Sequence, residues 1–569
     1  MKYVYKFENE DYIVIVMNIE EEIYRQALAN AVEHSGKANA GAVLGKIVAE
    51  MPEVKPKIKE IKELVEKIVK EVNTWPEDKQ KSELERLGPV VKPEKVQRTG
   101  LPPLPNAVPG HVVTRFPPFP SGALHIGNMR AVITSYEYAK MYNGKFIVRI
   151  EDTDFTKFKK ENIDLIKADL DAMNIKYDAF YFDSDHLDRY YELARKLIRE
   201  GKAYVCTCKA QGKEKTEKLA VKKAACSCRN RSIEENLKLF EKMFTELKEG
   251  EAVLRLKTDV NDPNPALRDP ALLRIREGVH PITGKENKVY PLYNYSCAIE
   301  DHDSGVTHVL RAAEHSTNTL IQKKVYEALG WKDFPTVINF GFIYVKEAKV
   351  HKRFIRDGLA SGMFKGWDDP KLARYGLVRA LLRFGITPEA IRNFIISLGV
   401  NPQTIRFSWD MLFSENRKVI DKFAKRYFCV TDPVKIILDK LPTNAVSAKL
   451  HPSSTETREI PVSNEIFIEH SDFQENVGKE VRLMHFCNVI LNRDRSAKVT
   501  GTELKDVPKL HWVPAKHAIK RRMMTFDISE KEILCEPSVA NIKPGEIVQF
   551  ERVGFARLDE DGTFYSAHK

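Results

Sequence analysis

The sequence lacks long hydrophobic runs. Although 43% of the 569 residues are hydrophobic, no stretch approaches the about 20 consecutive apolar residues that cross a bilayer. The apolar run from Tyr12 to Met17 is too short for the core of a signal peptide. There is no repeat of fixed period and no low-complexity run. These absences exclude a membrane-spanning chain and a repeat array, and we expect a cytoplasmic globular protein of about three to five domains.

Cysteine is scarce, with eight residues in the chain, and four of them crowd into one short segment. Two Cys-x-Cys pairs are separated by seventeen residues, and thiols stay reduced in the cytoplasm. Four thiolates at this spacing can supply a complete tetrahedral set, so the segment predicts a structural zinc site. The alternative is four buried or redox-linked thiols. The predicted ligands are Cys206, Cys208, Cys226 and Cys228.

Neither sign of charge dominates, since Lys and Arg total 91 against 80 for Asp and Glu, a net charge of +11. Between Gly201 and Asn230, however, eight basic residues face two glutamates, a local balance of +6. Part of this charge would offset the four thiolates. The rest suits the phosphates of RNA, which makes a polyanionic partner a candidate for this segment.

The pattern along the chain predicts several kinds of structure. Apolar residues spaced three and four apart from Glu20 to about Leu87 predict a helical domain. Gly88 to Pro109 holds six prolines and two glycines and is interpreted as a linker. Strand, turn, helix and strand follow from His111 to Ile150, which predicts an α/β domain with a parallel sheet. Tyr290 to Ala298 is predicted as a strand, and the short apolar runs past Val430 predict an all-β tail of barrels.

A proline- and glycine-rich loop between a strand and a helix is the strongest local signal. Thr114 to Asn128 reads TRFPPFPSGALHIGN and places His125, Gly127 and Asn128 at the start of the helix. Helix starts offer unpaired N–H groups and a positive dipole end, where nucleotide phosphates bind readily. Gly127 would allow a base or ribose to approach the backbone. The loop therefore predicts a nucleotide site.

This segment resembles the "HIGH" signature of class I aminoacyl-tRNA synthetases, in particular their glutamyl and glutaminyl branch. Asn128 departs from the signature, where a second histidine is usual. Lys349 to Arg353 is similar to the Lys-Met-Ser-Lys-Ser loop of the family, with His351 in place of a serine. The resemblance implies catalytic roles for His125, Asn128 and Lys352. It implies an ATP site made of Pro120, Gly122, His125, Gly127, Asn128, Lys349, Lys352 and Arg353.

The amino-acid pocket is argued from charge and from the same resemblance. Glu151 closes the second strand, and its carboxylate suits an amino group, although Glu151 or Asp152 could instead cap the next helix. The resemblance implies glutamate binding by Arg115, Glu151, Tyr293 and Arg311. Glutamyl members carry an arginine where Arg311 stands and glutaminyl members an uncharged residue, which favours glutamate. The alternative is that Arg311 merely pairs with Glu314.

The resemblance also implies the architecture. We expect a helical domain at 1–87, a linker at 88–109 and a Rossmann-like (HUP-type) catalytic domain at 110–339. An acceptor-binding zinc module is expected at 200–285 inside it, with the cationic loop and helical stem-contact region at 340–429. An all-β anticodon-binding domain at 430–569 is typical of archaeal and eukaryotic members.

The implied reaction has two steps, activation of glutamate by ATP and transfer to tRNA. The expected partners are L-glutamate, ATP with Mg²⁺, and tRNA-Glu, with tRNA-Gln as a further candidate, and the chain is expected to be a monomer without membrane contact. Three alternatives stay open: a glutaminyl enzyme, a paralogue that only binds tRNA, and a relative that modifies a tRNA base.

Overall fold

The computed structural model describes residues 19–51, 58–88, 100–208, 226–345 and 352–568. The chain divides into two compact units, Met1–Gln97 and Arg98–Lys569. Among the described residues, no helix is both long enough and apolar enough to cross a membrane.

The first unit is helical in its described part. In the helix Ile58–Val72, the buried residues Ile61, Val65, Ile68 and Val72 recur at spacings of three and four, so one face packs into the core. The four helices are α1 (Ile19–Glu33), α2 (Ala40–Glu50), α3 (Ile58–Val72) and α4 (Glu77–Leu87).

The second unit begins with the α/β region predicted by the sequence. Its strands are β1 (Val113–Phe116), β2 (Lys145–Ile150), β3 (Ala179–Phe182), β4 (Ala203–Cys206), β5 (Val253–Leu256), β6 (Ala271–Ile275), β7 (Val289–Pro291), β8 (His308–Ala312), β9 (Thr336–Phe340), β10 (Ile343–Val345) and β11 (Ile405–Phe407). Its helices are α5 (Ile126–Met141), α6 (Glu161–Ala172), α7 (Leu187–Arg199), α8 (Ile233–Thr245), α9 (Tyr293–Asp303), α10 (Ser316–Leu329), α11 (Lys352–Ala360), α12 (Val378–Arg383), α13 (Pro388–Leu398) and α14 (Trp409–Ile420).

Parallel pairing runs through this region as expected. β1, β2 and β3 form one parallel sheet, and β8 pairs with β9 in parallel. The backbone N–H of Thr307 donates to the Val113 carbonyl at 3.0 Å, which brings the start of β8 beside β1. The carboxyl ends of these strands therefore face the same edge, where open α/β sheets bind their ligands. β4 to β7 form a separate antiparallel sheet between α7 and α9.

The predicted strand from Tyr290 to Ala298 is wrong in its second half. Pro291 ends β7, and helix α9 starts at Tyr293. Cys297 and Ala298 are buried, and a short apolar run suits a buried helix as well as a buried strand. The start of helix α9 places Tyr293 in the wall of the cavity described below.

The tail is rich in strands, which form barrel-like sheets. Its elements are β12 (Lys425–Tyr427), β13 (Cys429–Val430), β14 (Pro433–Leu438), β15 (Ala445–Lys449), β16 (Thr457–Pro461), β17 (Glu465–Glu469), α15 (His470–Asn476), β18 (Glu480–Leu483), β19 (Asn488–Leu491), β20 (Ser496–Gly501), β21 (Lys509–Leu510), β22 (Val513–Pro514), β23 (Ile519–Thr525), β24 (Glu530–Cys535), β25 (Ile547–Phe550), β26 (Gly554–Leu558) and β27 (Thr563–His568). One seven-stranded sheet has the order β21-β18-β19-β20-β14-β17-β22, another has the order β12-β25-β26-β27-β23-β24-β13, and β15 pairs with β16. Alternate residues of β14, Val434, Ile436 and Leu438, point into the core, as a half-buried strand requires.

Candidate active site

A cavity of about 990 Å³ lies at the carboxyl ends of the parallel strands. Strands β1 and β8, Glu151 directly after β2, the start of α5 and the start of α9 all contribute to its wall. The structure thus brings together residues that the sequence analysis took from separate motifs. Those that line the cavity are Arg115, His125, Gly127, Asn128, Glu151, Tyr293 and Arg311.

Among the other predicted ATP-site residues, the described Pro120 and Gly122 do not line the cavity. Pro120 and Gly122 lie in the loop before α5; the Pro120 carbonyl accepts a hydrogen bond from Asn162 Nδ2 at 2.9 Å, and Gly122 has a φ of +129°. Lys349 lies outside the described residues. Lys352 and Arg353 begin α11, and their side chains lie outside the described part of the chain.

The start of helix α5 is capped by the side chains of His125 and Asn128. His125 Nδ1 accepts a hydrogen bond from the Gly127 N–H at 3.1 Å, and Asn128 Oδ1 accepts one from the His125 N–H at 3.2 Å. An imidazole nitrogen that accepts must be unprotonated, so in the neutral ring Nε2 carries the proton and can donate. The amide nitrogen of Asn128 is likewise the part of that side chain left to donate. Both residues can therefore offer N–H groups to anionic oxygens.

A buried carboxylate positions this turn from outside. Asp169 Oδ2 accepts a hydrogen bond from the Leu124 N–H at 2.7 Å, and Arg379 Nε donates to Asp169 Oδ1 at 2.9 Å. The Ile126 N–H also donates to the Gly376 carbonyl at 2.8 Å. No sequence motif marks Asp169, which lies inside α6.

A network of buried ion pairs lies beneath the cavity, and in it Arg149 Nε lies 3.1 Å from Asp183 Oδ1. Arg115 donates from Nε and Nη2 to the two carboxylate oxygens of Asp301, each at 3.1 Å, and Arg149 Nη1 donates to Asp301 Oδ1 at 3.0 Å. Burial opposes the charge of Asp301, but the two guanidinium groups outweigh it and hold its pKa below the usual range. Neither Arg149 nor Asp301 was assigned a role from the sequence.

Glu151 is placed where β2 ends, with Oε1 3.5 Å from Arg149 Nη2. Burial raises the pKa of Glu151 to about 7, against the attraction of Arg149 and Arg115. The neighbouring Asp152 does not cap the next helix; its carboxylate accepts hydrogen bonds from the N–H and hydroxyl of Ser184 at 2.9 and 2.6 Å.

Arg311 is buried but lacks a carboxylate partner among the described residues. Its Nη2 donates to Thr319 Oγ1 at 2.7 Å and to Gln322 Oε1 at 2.8 Å, whereas Nε and Nη1 are buried without any hydrogen-bond partner in the described structure. The alternative ion pair with Glu314 does not form there; Glu314 Oε1 lies 3.7 Å from His315 Nε2. A buried cation with unused donors is the mark of a site that accepts an anionic group.

Tyr293 closes the same side of the cavity. Its ring lies 5.9 Å from that of His315. Burial raises the pKa of Tyr293, so the phenol stays protonated. Burial and the nearby Arg311 and Arg115 lower the pKa of His315 to about 4, so its ring is neutral near pH 7.

The four clustered cysteines converge at the end of β4. Cys208 Sγ lies 3.0 Å from Cys226 Sγ and 3.8 Å from Cys228 Sγ, and all four sulfur atoms lie within 4.8 Å of one another. A tetrahedral zinc with Zn–S bonds of about 2.3 Å requires S–S separations of about 3.8 Å. The donor set and its spacing therefore fit a zinc ion.

Comparison with known proteins gives a consistent picture. Residues 111–422 match the family model described as tRNA synthetases class I (E and Q), catalytic domain. Residues 424–507 and 509–559 match two models of the anti-codon binding domain of the same class.

Relatives cover nearly the whole chain. A glutamate–tRNA ligase of Methanothermobacter marburgensis is 39% identical over 564 residues, which span 97% of this chain and 100% of that protein. A glutamate–tRNA ligase of Pyrococcus abyssi is 42% identical over 567 residues, spanning 96% and 98%. The solved structure of a glutamate tRNA ligase from Elizabethkingia meningosepticum aligns over 55% of this chain and 70% of that chain, with 21% identity and a TM-score of 0.41. By its domain models and its relatives, the chain belongs to the glutamate–tRNA ligases, within the class I tRNA synthetases for Glu and Gln.

Proposed function

We propose that the cavity binds L-glutamate and ATP side by side and that the chain forms glutamyl-adenylate there before it transfers glutamate to the 3′ end of tRNA-Glu. The observation that carries this proposal is Arg311, a buried guanidinium with unpartnered N–H groups in the cavity wall. A neutral side chain would leave that charge uncompensated, whereas a carboxylate would neutralise it.

The amino acid is held by charge at both of its ends. Arg311 binds the side-chain carboxylate, and Arg115 contributes positive charge on the same side. The Nε and Nη2 of Arg115 already donate to Asp301. The α-amine binds near Glu151, whose raised pKa falls again when a cation arrives. Tyr293 packs over the bound side chain.

ATP binds along the loop and first turn of α5. His125 and Asn128 donate to phosphate oxygens, and Gly127 leaves the backbone open to the nucleotide. Pro120 and Gly122 contribute by shaping the preceding loop. The basic segment with Lys349, Lys352 and Arg353 supplies positive charge for the leaving pyrophosphate. Mg²⁺ bound to the triphosphate would neutralise a further part of that charge.

The residues act by positioning and electrostatics, since the reaction needs no protein nucleophile. An oxygen of the glutamate α-carboxylate attacks the α-phosphorus, an O–P bond forms, and the bond to pyrophosphate breaks. A hydroxyl of the terminal adenosine of tRNA then attacks the adenylate carbonyl carbon, and AMP leaves.

The cysteine cluster supports a structural role for metal. Cys206, Cys208, Cys226 and Cys228 hold Zn²⁺ with no open coordination position, and the ion stabilises the antiparallel module. The eight basic residues between Gly201 and Asn230, six of which lie outside the described residues, favour contact of this segment with the acceptor end of tRNA.

The test is aminoacylation with radiolabelled glutamate and glutamine, using tRNA-Glu and tRNA-Gln transcripts separately. We expect glutamate on tRNA-Glu, with charging lost in Arg311→Ala and Lys352→Ala and kept in Arg189→Ala, whose ion pairs lie at the surface. Glutamate on tRNA-Gln as well would define a non-discriminating enzyme. Glutamine as the joined amino acid, or tRNA binding without charging, would overturn the proposal. Sedimentation of the same preparation tests the proposed monomer.

A further inference from the structure

The hydrogen-bond acceptors that hold Arg311 are both neutral. Its Nη2 donates to the Thr319 hydroxyl and to the Gln322 side-chain carbonyl, and these two bonds use both N–H groups of that nitrogen. Both acceptors come from helix α10, and Gln322 is buried. The two hydrogen bonds therefore hold the guanidinium in place, and neither acceptor neutralises its positive charge.

The orientation of the Gln322 amide is determined by its other end. Gln322 Nε2 donates to Asn294 Oδ1 at 3.2 Å, and Asn294 Nδ2 donates in turn to Asn318 Oδ1 at 3.2 Å. This relay assigns the oxygen of Gln322, and not its nitrogen, to the side of Arg311. If the amide of Gln322 were reversed, its nitrogen would face the donor Nη2 of Arg311 and its oxygen would face the acceptor Oδ1 of Asn294. Both hydrogen bonds would then be lost.

The neighbouring arginines show the contrast. Arg115 and Arg149 share the carboxylate of Asp301, and Arg149 also pairs with Asp183, so each of these two arginines already has a carboxylate partner. Arg311 has neutral partners and retains unused Nε and Nη1 donors in the described structure. The charge that remains available to a ligand in this cavity is thus concentrated at Arg311.

We propose that Gln322 is a specificity-determining residue for the amino acid, because it positions Arg311 through a neutral acceptor and so reserves the charge of Arg311 for a side-chain carboxylate. The inference rests on the proposed function, in which Arg311 binds that carboxylate. Glutamate supplies the missing negative charge. Glutamine supplies only a carbonyl dipole and leaves the buried charge uncompensated.

The test substitutes the nearly isosteric Gln322→Glu, which keeps an acceptor but adds the counter-charge. Steady-state aminoacylation of tRNA-Glu would give kcat and KM for glutamate, glutamine and ATP. We expect the KM for glutamate to rise about tenfold or more and the preference for glutamate over glutamine to fall by a similar factor, with the KM for ATP unchanged. Gln322→Met is the matched neutral control, which loses the acceptor without adding charge; its preference for glutamate should survive although its KM for glutamate rises.

The outcomes separate this inference from the proposed function. A wild-type KM and preference in Gln322→Glu would overturn the inference, and so would an equal loss of preference in Gln322→Met. If Arg311→Met binds glutamate as well as the wild type, the proposed role of Arg311 fails; if Arg311→Met is impaired while Gln322→Glu is normal, only the role of Gln322 fails. Should Gln322→Glu not fold, Thr319→Asp places a carboxylate against the same Nη2 and carries the same expected and contrary results.

Discussion

The indole of Trp367 lies directly against Gly122. A Cβ atom built on Gly122 would be 2.1 Å from Trp367 Cη2, a distance that real structures do not tolerate, and the φ of +129° at Gly122 also disfavours any residue with a side chain. Trp367 thereby packs against the loop that leads into His125. The contact explains why the loop needs glycine at this place.

We expect Gly122→Ala to lower aminoacylation by about 100-fold, because the loop before α5 must shift to avoid the indole. Trp367→Ala should have a smaller effect, since it removes packing without creating a clash. In the double variant the clash is relieved, so activity should exceed that of Gly122→Ala alone. Initial rates of the three variants at saturating ATP test this coupling, and strictly additive losses would contradict it.

Replacing Asp301 by Asn should strongly destabilise the catalytic region. The substitution keeps the shape but leaves the buried Arg115 without its carboxylate partner and removes one of the carboxylate partners of Arg149, at a cost of about 3–5 kcal/mol. Urea unfolding followed by intrinsic fluorescence measures the change. Asp303→Asn is the matched control, because Asp303 pairs with Arg189 nearer the surface and should lose no more than about 1 kcal/mol. Equal midpoints for the two variants would argue against the network.

Glutamate binding should weaken as the pH falls below 7. The pKa of Glu151 is about 7 in the empty site, so protons compete with the α-ammonium group for its carboxylate. Each unit of pH below 7 should raise the KM for glutamate by up to about tenfold, whereas above pH 8 the KM should level off. KM measured from pH 6 to 8 tests this expectation. The Glu151→Gln variant should bind glutamate more weakly, and its KM should no longer depend on pH in this range. If the pH dependence of KM persists in this variant, it arises from another group.

The cysteine cluster should hold one zinc per chain. Cys208→Ala removes one of four ligands, so the zinc content measured by mass spectrometry after dialysis should fall toward zero and the module should unfold at a lower temperature. Cys487→Ala, at a buried cysteine far along the chain, should keep its zinc. A wild-type protein without zinc, or a Cys208→Ala variant that retains it, would refute the site.

Local patterns predicted much of the architecture. The proline and glycine run before His125 correctly indicated a loop between a strand and helix α5, because these residues restrict the backbone within a few positions. Alternating burial in β14 followed the period of a strand. The same reasoning failed at Tyr290 to Ala298, where an apolar run is compatible with a buried helix as well as a strand.

Candidate residues could be identified from the sequence: the cysteine pairs by their spacing, His125 with its glycine by the loop before a helix, and Arg311 by resemblance to a family. Their partners could not, because spacing rules relate residues only within a turn or a strand, whereas contacts across the fold depend on the order in which strands and helices pack. Asp301 lies 186 positions from Arg115 and gains its role only when helix α9 packs beside β1. Gln322 and Trp367 are likewise ordinary residues in the sequence. Tertiary packing alone decided that Gln322 accepts a hydrogen bond from Arg311 and that Trp367 packs against Gly122.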